Sequence, residues 1–240
     1  GLGDVYKRQG EDLDAYPRTL DEDVAKLKAA GVDAVFAPSP REMYPNGPRT
    51  TIHPGEVGRI LEGAHRPTHF AGVLTVVNKL FTITHCGHAF FGEKDYQQLL
   101  LIQQMVTDLN MEVQVHGVPI VREADGLAKS SRNVYLSDEE RELALTLSAA
   151  LTAGAFVAEQ GPAAVLQTAG SILDAASGVD VDYLELRGTD LSDTPEDGEA
   201  RLLVAARVGT TRLIDNVGVP LGTGFKGLDD GGEPADNAGE

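Results

Sequence analysis

A chain of 240 residues holds one large domain or two modest ones, and a hydrophobic share of 42% suffices for a packed core. Its net charge of −17 argues against general nucleic-acid binding, because a phosphate backbone wants a basic face. No run approaches the roughly 18–20 apolar residues that span a membrane, no signal peptide is visible, and the lone Cys86 excludes an intrachain disulfide and suits a reducing cytoplasm.

Residues 1–9 show no clear period and read as a foreign leader, outside the fold. From Leu20 the pattern turns helical: Leu20, Val24 and Leu27 share a face, and Gly31 is placed to end the helix. Val32–Ala37 reads as a buried strand stopped by Pro38 and Pro40. Pro54 opens a short helix carrying Val57, Ile60 and Leu61. Phe70, Val73, Val77, Leu80 and Phe81 form another helical face. Ala89–Phe91 is a short strand, and Gly92 turns it into a helix from Asp95 to about Leu109. Met111–Val115 and Val118–Val121 are further strand candidates. Strands alternating with helices at this spacing imply βαβ units and a parallel sheet.

After Asn133 the texture changes. Ser137 and Glu140 form a capping box ahead of a long Ala/Leu helix reaching about Gln160. Pro162 opens a second helix to about Ala176. Val181–Leu186, Arg201–Val208 and Thr211–Val217 read as strands, the last two forming a hairpin around Gly209. This organisation predicts a nucleotide-binding α/β domain over residues 10–120, a small α+β domain over 121–222, and a disordered acidic tail over 223–240.

Two polar segments carry the chemistry. In Phe91–Gln98, Gly92 lets a ligand approach the backbone at a strand end, and the next helix N-terminus favours an anion. Lys94 is a mobile cation suited to phosphate, and Asp95 can accept from ribose hydroxyls. Gln98 shares a helix face with Asp95. Spacing alone reads equally as a polar turn in which Asp95 merely caps the helix. The second segment, Asp125–Asn133, offers Lys129, Ser130, Ser131 and Arg132; arginine suits the planar oxygens of phosphate or carboxylate. By itself it also reads as a solvent-exposed linker. Gly126, flanking charge and few apolar residues predict that residues 122–133 are poorly anchored without ligand, as a lid would be. His69 either assists substrate or packs locally at a helix start. His85-Cys86-Gly87-His88 is spaced too tightly for an ordinary structural zinc site and reads as a turn.

The stretches FGEKDYQQ and READGLAKSSRN, with RPTHF at Arg66–Phe70 and EDLDAYPR at Glu11–Arg18, resemble the pantothenate synthetase family from about Gly10 to about Gly222. The resemblance implies a Rossmann-like parallel sheet of the class I aminoacyl-tRNA-synthetase and nucleotidyltransferase type, with the small C-terminal domain as a lid. It implies a cytoplasmic homodimer that uses ATP, Mg²⁺, pantoate and β-alanine. It places Gly92, Glu93, Lys94, Asp95, Val121, Lys129, Ser130, Ser131 and Arg132 against ATP, with Val121 touching adenine through its backbone. Gln98 would orient pantoate, Lys94 and Arg132 would support the transition state, and Tyr16 and His69 would border the pocket. Lys129 stands where the family usually has methionine. The family opens with a strand, a His-x-Gly-His turn and a helix; this chain carries no such segment, and the expectation is a truncated form with little activity. Two other readings stay open: a nucleotidyltransferase of the same superfamily, and an inactive fragment that still binds nucleotide.

Overall fold

The computed structural model describes residues 20–223. The leader, Tyr16 and the tail beyond 223 lie outside the described residues. The chain divides into two compact units. The first runs to Val121 and takes in Lys129–Val134; the second holds Arg122–Ala128 and Tyr135 onward. The fold is mixed α/β, with a parallel strand pair in the first unit and a separate antiparallel sheet in the second.

In the first unit, β1 (His88–Gly92) and β2 (Gln114–Val118) pair in parallel, His88 opposite Gln114 and Gly92 opposite Val118. Helices α4 (His69–Thr84) and α5 (Tyr96–Asp108) supply the core that packs on this pair. Phe70, Leu74, Val77 and Phe81 of α4 meet Leu101, Ile102 and Met105 of α5, with Ala89, Phe91 and Val115 turned in from the strands. The apolar residues recur every three or four positions on the helices and every second position on the strands, which puts each set on one face. Pro119 lacks a backbone donor, so the ladder ends at Val118 and the strand expected over Val118–Val121 does not form.

Ahead of this core lie α1 (Leu20–Ala29), α2 (Pro40–Met43) and α3 (Glu62–His65), with a 3-10 turn over Glu56–Arg59. Gly31 ends α1 at φ +79°, its N–H donating to the Lys28 carbonyl. The expected strand Val32–Ala37 is absent. Those residues are exposed, Phe36 at 52%, and pair with neither β1 nor β2. Without a hydrogen-bonding neighbour an extended segment satisfies its backbone with water, whatever its side chains prefer.

In the second unit, α6 (Asp138–Phe156) and α7 (Pro162–Ala175) cover one face of the order β3-β4-β5 (Val179–Gly188, Gly198–Val208, Thr211–Leu221). The expected capping box forms: Ser137 Oγ accepts from the Glu140 N–H, and the Glu140 carboxylate accepts from the Ser137 N–H at 2.9 Å. Leu147, Leu151, Val165, Leu173, Leu202, Val204 and Val219 fill the core. Gly209 turns the β4–β5 hairpin at φ +56°, a backbone conformation that glycine adopts without strain.

The segment expected to be poorly anchored is tied down over its first half. Arg122 donates two bonds to Asp215 on β5, at 2.7 and 3.0 Å, and a third to the Gly126 carbonyl at 3.1 Å. Arg122 also bridges to Ala128, the Glu123 N–H donates to the Leu127 carbonyl, and Leu127 and Ala128 are buried. Residues 122–128 are therefore a small pinned hairpin. Charge and glycine counts suggested exposure because they do not register a single long-range ion pair.

Candidate active site

Strand β1 ends at Gly92, and a 3-10 turn over Glu93–Asp95 leads into α5. Asp95 is the N-cap of α5, yet its side chain makes no capping hydrogen bond. The side-chain capping expected as the alternative for this residue is therefore not made. No carboxylate occupies the first turn of α5 itself; the carboxylate at its positive end is that of the N-cap Asp95.

The residues that sequence reasoning singled out separate into two sets. Lys94, Asp95, Gln98, His69, Lys129, Ser130, Ser131 and Arg132 line one cavity of about 510 Å³ within the first unit. Two segments well separated in the sequence thus border one cavity. Gly92, Glu93 and Val121 do not line it. Glu93 lies over β2, its Oε1 3.0 Å from where a Cβ on Gly117 would sit. The space beside Gly92 is open, as a close backbone approach would need. Val121 is 59% exposed, and its carbonyl accepts from the Lys129 N–H at 2.9 Å, which fixes where the second segment enters the cavity.

That second segment is shaped by its own side chain. Ser130 Oγ accepts from the Arg132 N–H at 3.2 Å, and the Ser130 carbonyl accepts from the Asn133 N–H. These bonds start the 3-10 turn over Ser131–Tyr135 and bring hydroxyls and guanidinium onto one short loop. His69 begins α4, with its ring 5.0 Å from that of Phe70, so local packing and a place on the cavity wall hold together.

Five cavity residues were given no site role from the sequence: Arg66, Val73, Val76, Val77 and Leu80. The four aliphatic ones lie on α4 at helical spacing, a signal that reads first as core. Val73, Val76 and Val77 do both, being members of the hydrophobic cluster as well. The cavity therefore sets four cations, Arg66, Lys94, Lys129 and Arg132, against one carboxylate, Asp95, beside an aliphatic wall. In a chain of net charge −17 such a concentration of cations marks a place for an anion.

The Mg²⁺ that the resemblance implies meets a matching donor set only in part. The cavity offers Asp95 and two serine hydroxyls, and among the described residues no group of three or more His, Cys, Asp or Glu could hold a metal. This fits a cation that arrives on phosphates with its own waters, not one caged by protein.

The tetrad His85–His88 spells His-x-Gly-His, but it joins a helix to a strand, the reverse of the strand-to-helix turn that the resemblance calls for. His85 closes α4 with φ 49° and ψ 39°, and His88 Nδ1 lies 3.0 Å from His116 Nε2. Neither histidine of the tetrad lines the cavity.

Comparison with known proteins gives a consistent result. The pantoate-beta-alanine ligase family matches residues 5–218. A pantothenate synthetase of Corynebacterium jeikeium is 97% identical over 235 residues, covering 97% of this chain and 77% of that protein. The crystal structure of pantothenate synthetase from Thermus thermophilus aligns with a TM-score of 0.86 at 46% identity, over 90% of this chain and 80% of that one. A pantoate-beta-alanine ligase from Francisella tularensis, solved in complex with beta-gamma ATP and beta-alanine, aligns with a TM-score of 0.70 at 34% identity, over 86% and 72%. Among the described residues no helix is long and apolar enough to cross a membrane.

Proposed function

Because the chain belongs to the pantoate-beta-alanine ligase family, we propose that its cavity condenses pantoate with β-alanine, using ATP and passing through an acyl adenylate. A carboxylate is a poor acyl donor and must first be activated. A pantoate carboxylate oxygen attacks the α-phosphorus of ATP, and the bond to the β-phosphate oxygen breaks, releasing pyrophosphate. The amine of β-alanine then attacks the acyl carbon, AMP leaves with the electron pair of the C–O bond, and the nitrogen loses a proton to give the amide.

The observation that carries this reading is the composition of the cavity: four cations and a helix N-terminus beside an aliphatic wall. Lys94, Lys129 and Arg132 bind phosphates and offset the charge that grows on the departing pyrophosphate. The hydroxyls of Ser130 and Ser131 donate to phosphate oxygens, and Asp95 accepts from ribose. A Mg²⁺ carried in on the phosphates would neutralise part of their charge. Val73, Val76, Val77 and Leu80 exclude water and receive the branched carbon skeleton of pantoate, whose hydroxyls pair with Gln98. Holding acid and nucleotide in one cavity converts a bimolecular encounter into an oriented one. The opposite charges of the substrates and the cavity make binding weaken as salt rises.

Calorimetric titration of the chain with ATP and with pantoate, joined to an assay of AMP release, tests the reading. It predicts binding of both ligands, with AMP release slow, as the sequence led us to expect, and dependent on both the acid and the amine. Failure to bind either ligand would overturn it.

A further inference from the structure

Gln97 and Gln98 adjoin on α5 but do different things. Gln98 lines the cavity, whereas Gln97 is 4% exposed and commits its whole amide to backbone. Its Oε1 accepts from the Glu62 N–H at 3.1 Å, and its Nε2 donates to the carbonyls of Val57 at 2.6 Å and Ile60 at 2.8 Å. The turn gripped in this way is tightly made. Leu61 is held at φ +49°, and a Cβ on Gly63 would lie 1.9 Å from the Gly58 carbonyl oxygen. Backbone of this kind persists only where its surroundings enforce it.

The turn ends on Arg66. The buried Glu62 carboxylate sits 3.7 Å from the Arg66 guanidinium, and the Arg66 N–H donates to the Glu62 carbonyl at 2.8 Å. The Arg66 carbonyl in turn accepts from the His69 N–H at 3.0 Å, where α4 begins. Arg66 lines the cavity at the start of the stripe formed by Val73, Val76, Val77 and Leu80.

We propose that Gln97 is a positioning residue for acid binding: through the 57–62 turn and Glu62 it sets the Arg66 guanidinium where the carboxylate of a branched aliphatic hydroxy acid docks. A cation at the head of an aliphatic stripe recognises both halves of such a molecule. On the reading above the acid is pantoate, and the inference rests on that reading.

The test is a double-mutant cycle read by pantoate affinity. Gln97→Met keeps the volume and removes both the donor and the acceptor. It should weaken pantoate binding by about tenfold, the factor for one lost charge-assisted contact. In an Arg66→Ala background the same change should cost less than about twofold, and in a Lys94→Ala background the full factor should return. Hydrogen exchange across residues 57–66 should quicken in the unliganded Gln97→Met chain. Should Gln97→Met fail to fold, the near-isosteric Glu62→Gln cuts the same route between the turn and Arg66 without touching α5 and should show the same dependence on Arg66. Equal losses with and without Arg66 would make Gln97 a structural residue only and overturn the inference. Unchanged affinity in Gln97→Met would overturn it too. A parent chain that does not bind pantoate would overturn the functional reading and this inference with it.

Discussion

Lys94→Ala separates a ligand-binding role from a structural one. Lys94 is half-buried, in the middle of the 3-10 turn between β1 and α5, and it belongs to neither hydrophobic cluster. Substitution at such a place costs the fold about 0.5 kcal/mol or less. For a unit of this size that is a fall in Tm of about 2–4 °C. A charge-assisted contact to phosphate contributes about 1.5–3 kcal/mol, which corresponds to a Kd for ATP raised by about 10- to 100-fold. The two effects appear in one thermal-shift experiment. With ATP at about 100 times the parent Kd, ligand linkage stabilises the parent by about 2.7 kcal/mol, and about half of that gain or more should vanish in the variant. The variant should therefore melt close to the parent without ATP and well below it with ATP. A fall in Tm of the same size with and without ATP would refute the assignment and make Lys94 a residue of the turn alone.

Two other consequences concern the second unit. Asp215→Ala leaves the Arg122 guanidinium, about one third exposed, without its bidentate partner. It should destabilise that unit by about 1–2 kcal/mol in urea unfolding, less than for a fully buried pair because water reaches the guanidinium that remains, and an unchanged stability would contradict it. The carboxyl of Asp125 is held below its ordinary range, chiefly by the Leu127 N–H and also by Arg141 at 2.5 Å. A depressed carboxylate stabilises the fold above its unfolded pKa of about 3.9 and loses that contribution as pH falls through the lower folded value. Hydrogen exchange in residues 122–128, corrected for its intrinsic pH dependence, should quicken only below about pH 4; quickening that begins near pH 6 would identify a different group.

Much of this architecture was legible in the residues. The period of Phe70, Val77 and Phe81 marked α4, Ser137 with Glu140 marked the start of α6, and Thr211–Val217 marked β5 because local pattern and local structure agree there. Val32–Ala37 misled, since an apolar run shows what prefers burial but not whether a partner strand is at hand. Residues 122–128 misled for the converse reason: a polar hairpin is anchored by Asp215, 93 residues away. In the site, the charged and hydroxyl residues stood out because nothing in a core requires them. Val73, Val76, Val77 and Leu80 stayed hidden because an aliphatic cavity wall and a packed helix face have the same period. Arg66 stood in a motif read from the sequence but received no site role, as it reaches the cavity through a turn that Gln97 holds from another helix.

The claim that the Gly92–Gln98 and Lys129–Asn133 segments together hold the nucleotide's phosphates is tested most directly by hydrogen exchange with and without a non-hydrolysable ATP analogue. The nucleotide should slow exchange in both segments at once, and Arg132→Ala should remove most of that slowing in both, because each contributes to one cavity. Protection confined to one segment, or placed elsewhere in the chain, would contradict the account.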